Sequence, residues 1–446
     1  MNLSALSLCE AAAEVREGRV SAAELVTACL DRVAEVDADV QAWAFLDREH
    51  ALKQAEALDE HRRHGRALGP LHGVPIGIKD VFDTGDMPTE FGSPLWAGRT
   101  PRSDAAAVAR LRAAGAVILG KTVTAEYAYF HPGKTRNPHD KARTPGGSSS
   151  GSAAAVAALM VPGTIGTQTN GSTIRPAAYC GVVGYKPSHG LIPRTGALLL
   201  SRALDHVGVF ARTVEDVALL AEIMAGFDAE DPDTRPIARP PLASVAVSKP
   251  PLPPRFAFVK SAFWNEAEPV TRDAFGELVE MLGEAAVEVD LGQSFGRALD
   301  LHKTVMEVDM AHNLHRDYER GRDQFSPQLR QLVERARMVP AVDYVAALAA
   351  SAPLNATLDE VFSEYDAILT PAAPGEAPCG EATGNPVFCT TWTYLGTPAI
   401  TLPLLRSETG LPLGVQLVGR RGNDARLLRT ARWLVKTVGS ETAAPA

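Results

Sequence analysis

Between Thr144 and Gly181 the chain reads TPGGSSSGSAAAVAALMVPGTIGTQTNGSTIRPAAYCG, two clusters of glycine and hydroxyl residues around an alanine-rich run. Gly, Ser and Thr make poor helices and poor cores, so both clusters have to be turns of defined backbone geometry, with a helix near Ala153–Leu159 between them. The neighbouring segments say what such turns join. "GPLHGVPIGIKDVF" is rich in Gly, Pro and branched apolar residues and predicts a buried strand over Val74–Lys79 that ends in a lysine. "SDAAAVARLRAAGAVILGKTVTAE" predicts a helix from about Asp104, a stop at Gly115 and a strand over Ala116–Leu119. This helix-to-strand rhythm is the pattern of an α/β fold.

The rest of the chain divides around that core. Residues 1–66 form a helical layer, in which Ser21 and Glu24 have the spacing of a capping box and Leu25, Cys29, Val33 and Val36 share one face. Residues 67–227 hold the strands and both clusters, and Cys180 lies in an apolar, strand-like setting where a thiol packs as a small hydrophobe. Residues 228–255 turn to proline and polar side chains and read as a surface excursion. Residues 256–446 resume with a strand at Phe256, helices over Val270–Ala285 and Ala298–Ala350, and strands around "YDAILTPAAP" and a hairpin-like "SETGLPLG". Strands on both sides of the excursion predict one sheet and a single domain over 1–446.

Composition removes several classes of function. A net charge of −9, without a run of Lys or Arg, is wrong for tracking a nucleic-acid backbone. Five scattered cysteines with no CxxC pair predict reduced thiols and a cytoplasmic protein. Glu10, Glu14 and Glu17 break any apolar run at the start, and no stretch approaches the roughly 18 apolar residues of a membrane span. His312 and His315 lack a ligand spacing such as HExxH, so neither metal nor cofactor is expected.

The clusters suit chemistry at a backbone turn. Neither a P-loop nor a GxGxxG fingerprint is present, and "GSTIR" and "GSPLW" do not make the GxSxG elbow of a serine hydrolase. A serine hydroxyl still becomes a nucleophile if a base removes its proton, and a buried, neutral lysine is such a base. Lys79, at the end of an apolar strand, is the candidate.

"GVPIGIKDVFDTGDMPTEFGS", "TPGGSSSGSAAAVAA" and "GTQTNGSTIRPAAYCGVVGYKPSHG", in this order, resemble the amidase signature family, and the similarity runs from about Leu6 to Leu434. The resemblance implies one α/β/α sandwich with a mixed, mostly parallel sheet. It also implies a triad of Ser172 as nucleophile, Ser148 after a cis peptide as bridging serine, and Lys79 as base. Backbone N–H groups of Thr169, Asn170, Gly171 and Ser172 would hold the oxyanion.

Two departures bear on substrate. Asn170-Gly171 stands where the family commonly has two glycines, a change acceptable to a turn because Asn tolerates positive φ. Arg175 lies three residues after Ser172, where most members have it two after, an arrangement similar to the malonamidase-like branch in which this arginine binds the substrate carboxylate. Arg175 is therefore either a carboxylate clamp or a structural residue, and Tyr127, His131 and Gln168 are candidates for the same pocket, Tyr127 alternatively being a packed aromatic. The resulting expectation is a homodimeric hydrolase of a small carboxylate-bearing amide or ureide. The alternatives are the glutaminase subunit of a tRNA-dependent amidotransferase and a catalytically inactive binding protein of the same fold.

Overall fold

The computed structural model describes residues 2–442. Eleven strands make one sheet: β1 (Trp43–Leu46), β2 (Pro75–Lys79), β3 (Val117–Thr122), β4 (Gly163–Gln168), β5 (Val183–Lys186), β6 (His206–Ala211), β7 (Phe256–Phe258), β8 (Ala286–Glu288), β9 (Ala367–Pro371), β10 (Ala399–Arg406) and β11 (Pro412–Val418). Their order across the sheet is β1-β3-β2-β4-β6-β5-β10-β11-β9-β7-β8. Strands from before and after the 228–255 segment thus share one ladder.

Helices cover both faces, and the strands are apolar on both sides because each face is buried. In β3, Val117 and Leu119 pack toward Val26, Leu30 and Ala153–Val156, whereas Ile118 packs on the other side with Leu111, Val217 and Leu220. Ser21 and Glu24 form the capping box of the Ala22–Val40 helix.

The sheet is mixed, but the expectation that it is mostly parallel is corrected: six of the ten neighbouring pairs are antiparallel. The helix-to-strand rhythm does give parallel pairs where crossovers dominate, at β3-β2-β4 and at β9-β7-β8. Between them, β6 inserts antiparallel between β4 and β5, filling the gap that the β4-helix-β5 crossover leaves open. A short turn at Ser407–Leu411 then folds β10 and β11 into a hairpin.

Two further expectations change. The helical region predicted over Ala298–Ala350 is broken into Ala298–Asn313, His315–Gly321, Pro327–Ala336 and Ala341–Ala349, with prolines at the two later boundaries. Cys180 closes the Ile174–Cys180 helix instead of lying in a strand, and Gly181 terminates it at φ 66°. Part of the 228–255 segment is docked: its Leu242–Val247 helix buries Leu242 and Ala246 against the Val214–Met224 and Asp424–Thr442 helices. Among the described residues, no helix is long and apolar enough to cross a membrane.

Candidate active site

β2 carries Lys79 to the end of a fully buried strand, and the side chain has no exposed surface. Its Nζ donates to Ser148 Oγ at 2.7 Å and to Thr167 Oγ1 at 2.8 Å. Burial drives the Lys79 ammonium well below its usual value, and the negative charge of Asp205 opposes this without cancelling it. Burial thus favours the neutral amine, the form whose lone pair can take a proton.

Ser148 is delivered by the first cluster. Gly146 takes φ +78°, and a Cβ there would come within 2.8 Å of Pro176 Cα, so both the turn and the packing require glycine. The Gly147–Ser148 peptide is cis. Ser149 Oγ donates to the carbonyl of Thr167, whose hydroxyl faces Lys79, and Ser150 and Ser152 open the Ser150–Ala157 helix.

Ser172 lies in the turn between β4 and the Ile174–Cys180 helix. That turn is pinned from three directions. From β4, Gln168 Oε1 accepts from the amides of Thr173 (2.8 Å) and Ile174 (3.0 Å). From the Val387–Tyr394 helix, Thr393 Oγ1 donates to the carbonyl of Asn170 at 2.5 Å, and Thr390 Oγ1 donates to Asn170 Oδ1 at 2.6 Å. From beneath, Thr169 Oγ1 donates to Asp205 Oδ1 at 2.6 Å, and His302 Nε2 meets the Thr169 carbonyl at 2.8 Å. Burial lowers His302 to about 4, so the ring is neutral and Nε2 carries the proton it donates. Held this way, the amides of Asn170, Gly171 and Ser172 donate to no acceptor among the described residues. Asn170 does not need the left-handed conformation that its residue type would tolerate, since its φ is negative; the two threonines supply the restraint.

Ser172 opens into a small cavity of about 20 Å³, walled by Tyr129, Phe130, Met306 and Met310 with Asn170 and Arg175. Arg175 is buried and donates through Nη2 to the carbonyl of Gly147 at 2.7 Å, while its Nε and Nη1 have no partner among the described residues. A buried guanidinium with two unpartnered nitrogens beside Ser172 has the donor geometry that suits a carboxylate.

The other three pocket candidates, Tyr127, His131 and Gln168, are not among the residues that wall this cavity. Tyr127 is packed against Phe325 at 5.2 Å, and its hydroxyl donates to Asp317 Oδ2 at 3.0 Å. Tyr129 and Phe130, farther along the same segment, reach the cavity instead. His131 is exposed, and Gln168 is committed to the turn amides and to Thr393. Asp205, His302, Thr390 and Thr393 escape sequence reasoning, because each comes from a segment remote in sequence and none lies in a motif.

Comparison with known proteins agrees with this geometry. The family model described as Amidase matches residues 24–428. The A-type subunit of the glutamyl-tRNA(Gln) amidotransferase from Chloroflexus aggregans is 36% identical over 452 residues, covering 92% of each chain. Its namesake from Streptomyces avermitilis is 35% identical, covering 96% of this chain and 94% of its own. A solved structure described as an unexpected vestigial protein complex that reveals the origins of an s-triazine catabolic enzyme superposes with a TM-score of 0.90 at 29% identity, over 97% of this chain and 98% of that one. The native peptide amidase of Stenotrophomonas maltophilia gives 0.84 at 27% identity, over 98% and 97%. With a lysine hydrogen-bonded to a serine at the head of one motif and a second serine in a pinned turn at the head of the next, and with likeness over nearly its whole length, the chain belongs to the amidase family.

Proposed function

We propose that this amidase hydrolyses a small primary amide or ureide bearing a carboxylate, through an acyl-enzyme on Ser172. The observation that carries the reading is the fully buried Lys79, its ammonium disfavoured by burial, 2.7 Å from Ser148 Oγ. Lys79 takes the Ser148 proton as Ser148 takes that of Ser172, and Ser172 Oγ attacks the amide carbon. The oxyanion forms against the free amides of Asn170, Gly171 and Ser172, with Thr169 as the anchored end of the turn. The relay returns a proton to the departing nitrogen, ammonia leaves, and water attacks the ester by the same route in reverse. Arg175 takes the carboxylate on its two unpartnered nitrogens, Nε and Nη1. No cofactor enters these steps.

A second reading, the glutaminase subunit of a tRNA-dependent amidotransferase, is favoured by the relatives named above, at 35–36% identity along nearly the whole chain. Glutamine is also a carboxylate-bearing amide, but it carries an ammonium group. The cavity residues supply a cation and no carboxylate to receive one, which favours the simpler acid amide.

The test is ammonia release from malonamate, carboxylated ureides, glutamine, asparagine and neutral fatty amides, with wild type beside Ser172→Ala. A preference for acid amides lost in the variant supports the first reading. Glutamine preference and co-purification with other subunits support the second, whereas a cytoplasmic homodimer alone in light scattering fits the first. A protein inert to every amide and to a fluorophosphonate probe is the inactive binding protein.

A further inference from the structure

A second, much larger cavity of about 910 Å³ lies between the 228–255 excursion, the Ser351–Glu364 helix and the turn that precedes the Asp424–Thr442 helix. Among its walls are Arg235, Arg239, Arg420 and Arg421. The acidic side chains there are already committed. Asp233 pairs with Arg194 and Arg202, Asp359 with Arg420, and Asp424 accepts from Tyr185 and Ser188. Arg235, Arg239 and Arg421 have neither an ion pair nor a side-chain hydrogen bond among the described residues.

We propose that this cavity binds a small organic phosphate, gripped by Arg235, Arg239 and Arg421. Guanidiniums that line one concave space repel one another, Arg235 acting on Arg421 more strongly than Asp233 offsets, and an anion between them removes that cost. Arg421 is pulled below its usual value first by burial and then by the charge of Arg235, and Arg110, held only by the carbonyls of Met224, Gly226 and Phe227, is depressed by burial and next by Arg239. The planar fork of arginine matches the oxygens of phosphate, and several forks suit a group with several anionic oxygens. Leu358, Phe362 and the exposed Ile237 give an apolar side for an organic body, in a volume within the range of small-molecule sites. The loop bearing Arg235 and Arg239 is fixed at both ends, by Arg194 on Asp231 and Asp233 and by the buried Leu242–Val247 helix. A net charge of −9 and a bounded cavity favour a small ligand over a nucleic-acid chain.

The experiment is calorimetric titration with inorganic pyrophosphate, citrate and a 5′-labelled oligouridylate, on wild type, Ser172→Ala and Arg235→Gln/Arg421→Gln. Both arginines are exposed, so the double variant keeps its fold, and its melting temperature checks this. The proposal expects pyrophosphate to bind wild type and Ser172→Ala alike with Kd below about 1 mM, and the double variant to bind at least about tenfold more weakly with amide hydrolysis unchanged. Absence of pyrophosphate binding, equal affinity in the double variant, or citrate bound as tightly as pyrophosphate overturns it. Tight oligouridylate binding lost in the double variant would overturn it in favour of an RNA surface.

Discussion

His302 donates its Nε2 proton to the carbonyl of Thr169 over 2.8 Å, from the same helix that supplies Met306 and Met310 to the wall of the catalytic cavity. One helix thus reaches both the wall and the turn that carries Ser172, the proposed nucleophile. His302→Phe leaves a buried carbonyl unsatisfied and should lower stability by about 1–3 kcal/mol. It should also reduce kcat roughly tenfold with KM little changed, the signature of a displaced oxyanion turn. His302→Gln retains an N–H donor and should recover most of kcat; failure of that rescue would assign the loss to packing.

The acid limb of the rate profile should report Lys79. In the proposed relay its neutral form is the base, so kcat/KM should fall as pH drops through its depressed pKa, and Lys79→Met should cost on the order of a thousandfold or more. Asp205, raised to about 6 by burial, puts a negative charge near Lys79 that favours the ammonium form. Asp205→Asn removes that charge, so the Lys79 limb should move to lower pH. A limb that stays in place or moves upward in pH-rate measurements would exclude Asp205 as a tuning charge.

The residues on which these predictions rest are unequally visible in the amino-acid order. Lys79, Ser148 and Ser172 stand out because glycine-rich turns and a strand-terminal lysine are local features with local causes. The β6 insertion, the threonine clamps and His302 are hidden because they depend on which distant segments meet. Thr393 and Asn170 are separated by 223 residues, and nothing in "FCTTWTYLG" distinguishes its threonines from ordinary helical ones. Tyr127 misleads for a related reason: proximity along the chain puts it near the nucleophile, but a backbone φ of 45° turns it into the aromatic packing beneath.

Arg175 separates substrate recognition from support. If its Nε and Nη1 take a carboxylate, Arg175→Met should raise KM for acid amides about a hundredfold while changing neutral amides little, a difference of about 3 kcal/mol. Arg175→Lys keeps the charge but loses the fork, and should fall between. Equal losses on acid and neutral amides would reduce the residue to its bond with Gly147.

Acid should destabilise the fold before it protonates ordinary carboxylates. Burial lowers His189 and His302 to about 4 and His206 well below the usual 6.5, so between those values the unfolded chain binds protons that the folded one does not. Stability then rises with pH across that window, and the buried lysines, with Lys186 lowered to about 7 and Lys121 to about 8, extend the rise above it. Asp205, raised to about 6, acts in the opposite sense, as do the raised Asp37, Asp80 and Asp216, whereas the lowered His72 and the buried lysines add to the histidine side. Melting temperatures at about pH 7.5, 5.5 and 4.5 should therefore fall in that order, and a constant or rising series would contradict the assignment of neutral buried histidines.

The order of strands governs when this protein becomes an enzyme. β5, ending at Lys186, pairs on one side with β6 and finds the partner of its other edge only in β10, which begins at Ala399, and the helix that clamps Asn170 lies just before that strand. A ribosome must therefore add roughly two hundred residues while β5 waits with an unpaired edge, an invitation to wrong pairing that a chaperone or rapid collapse has to cover. The serine, the lysine and their turns are all synthesised early. The catalyst is nevertheless completed last, when the C-terminal hairpin enters the middle of the sheet and brings the threonine clamps with it.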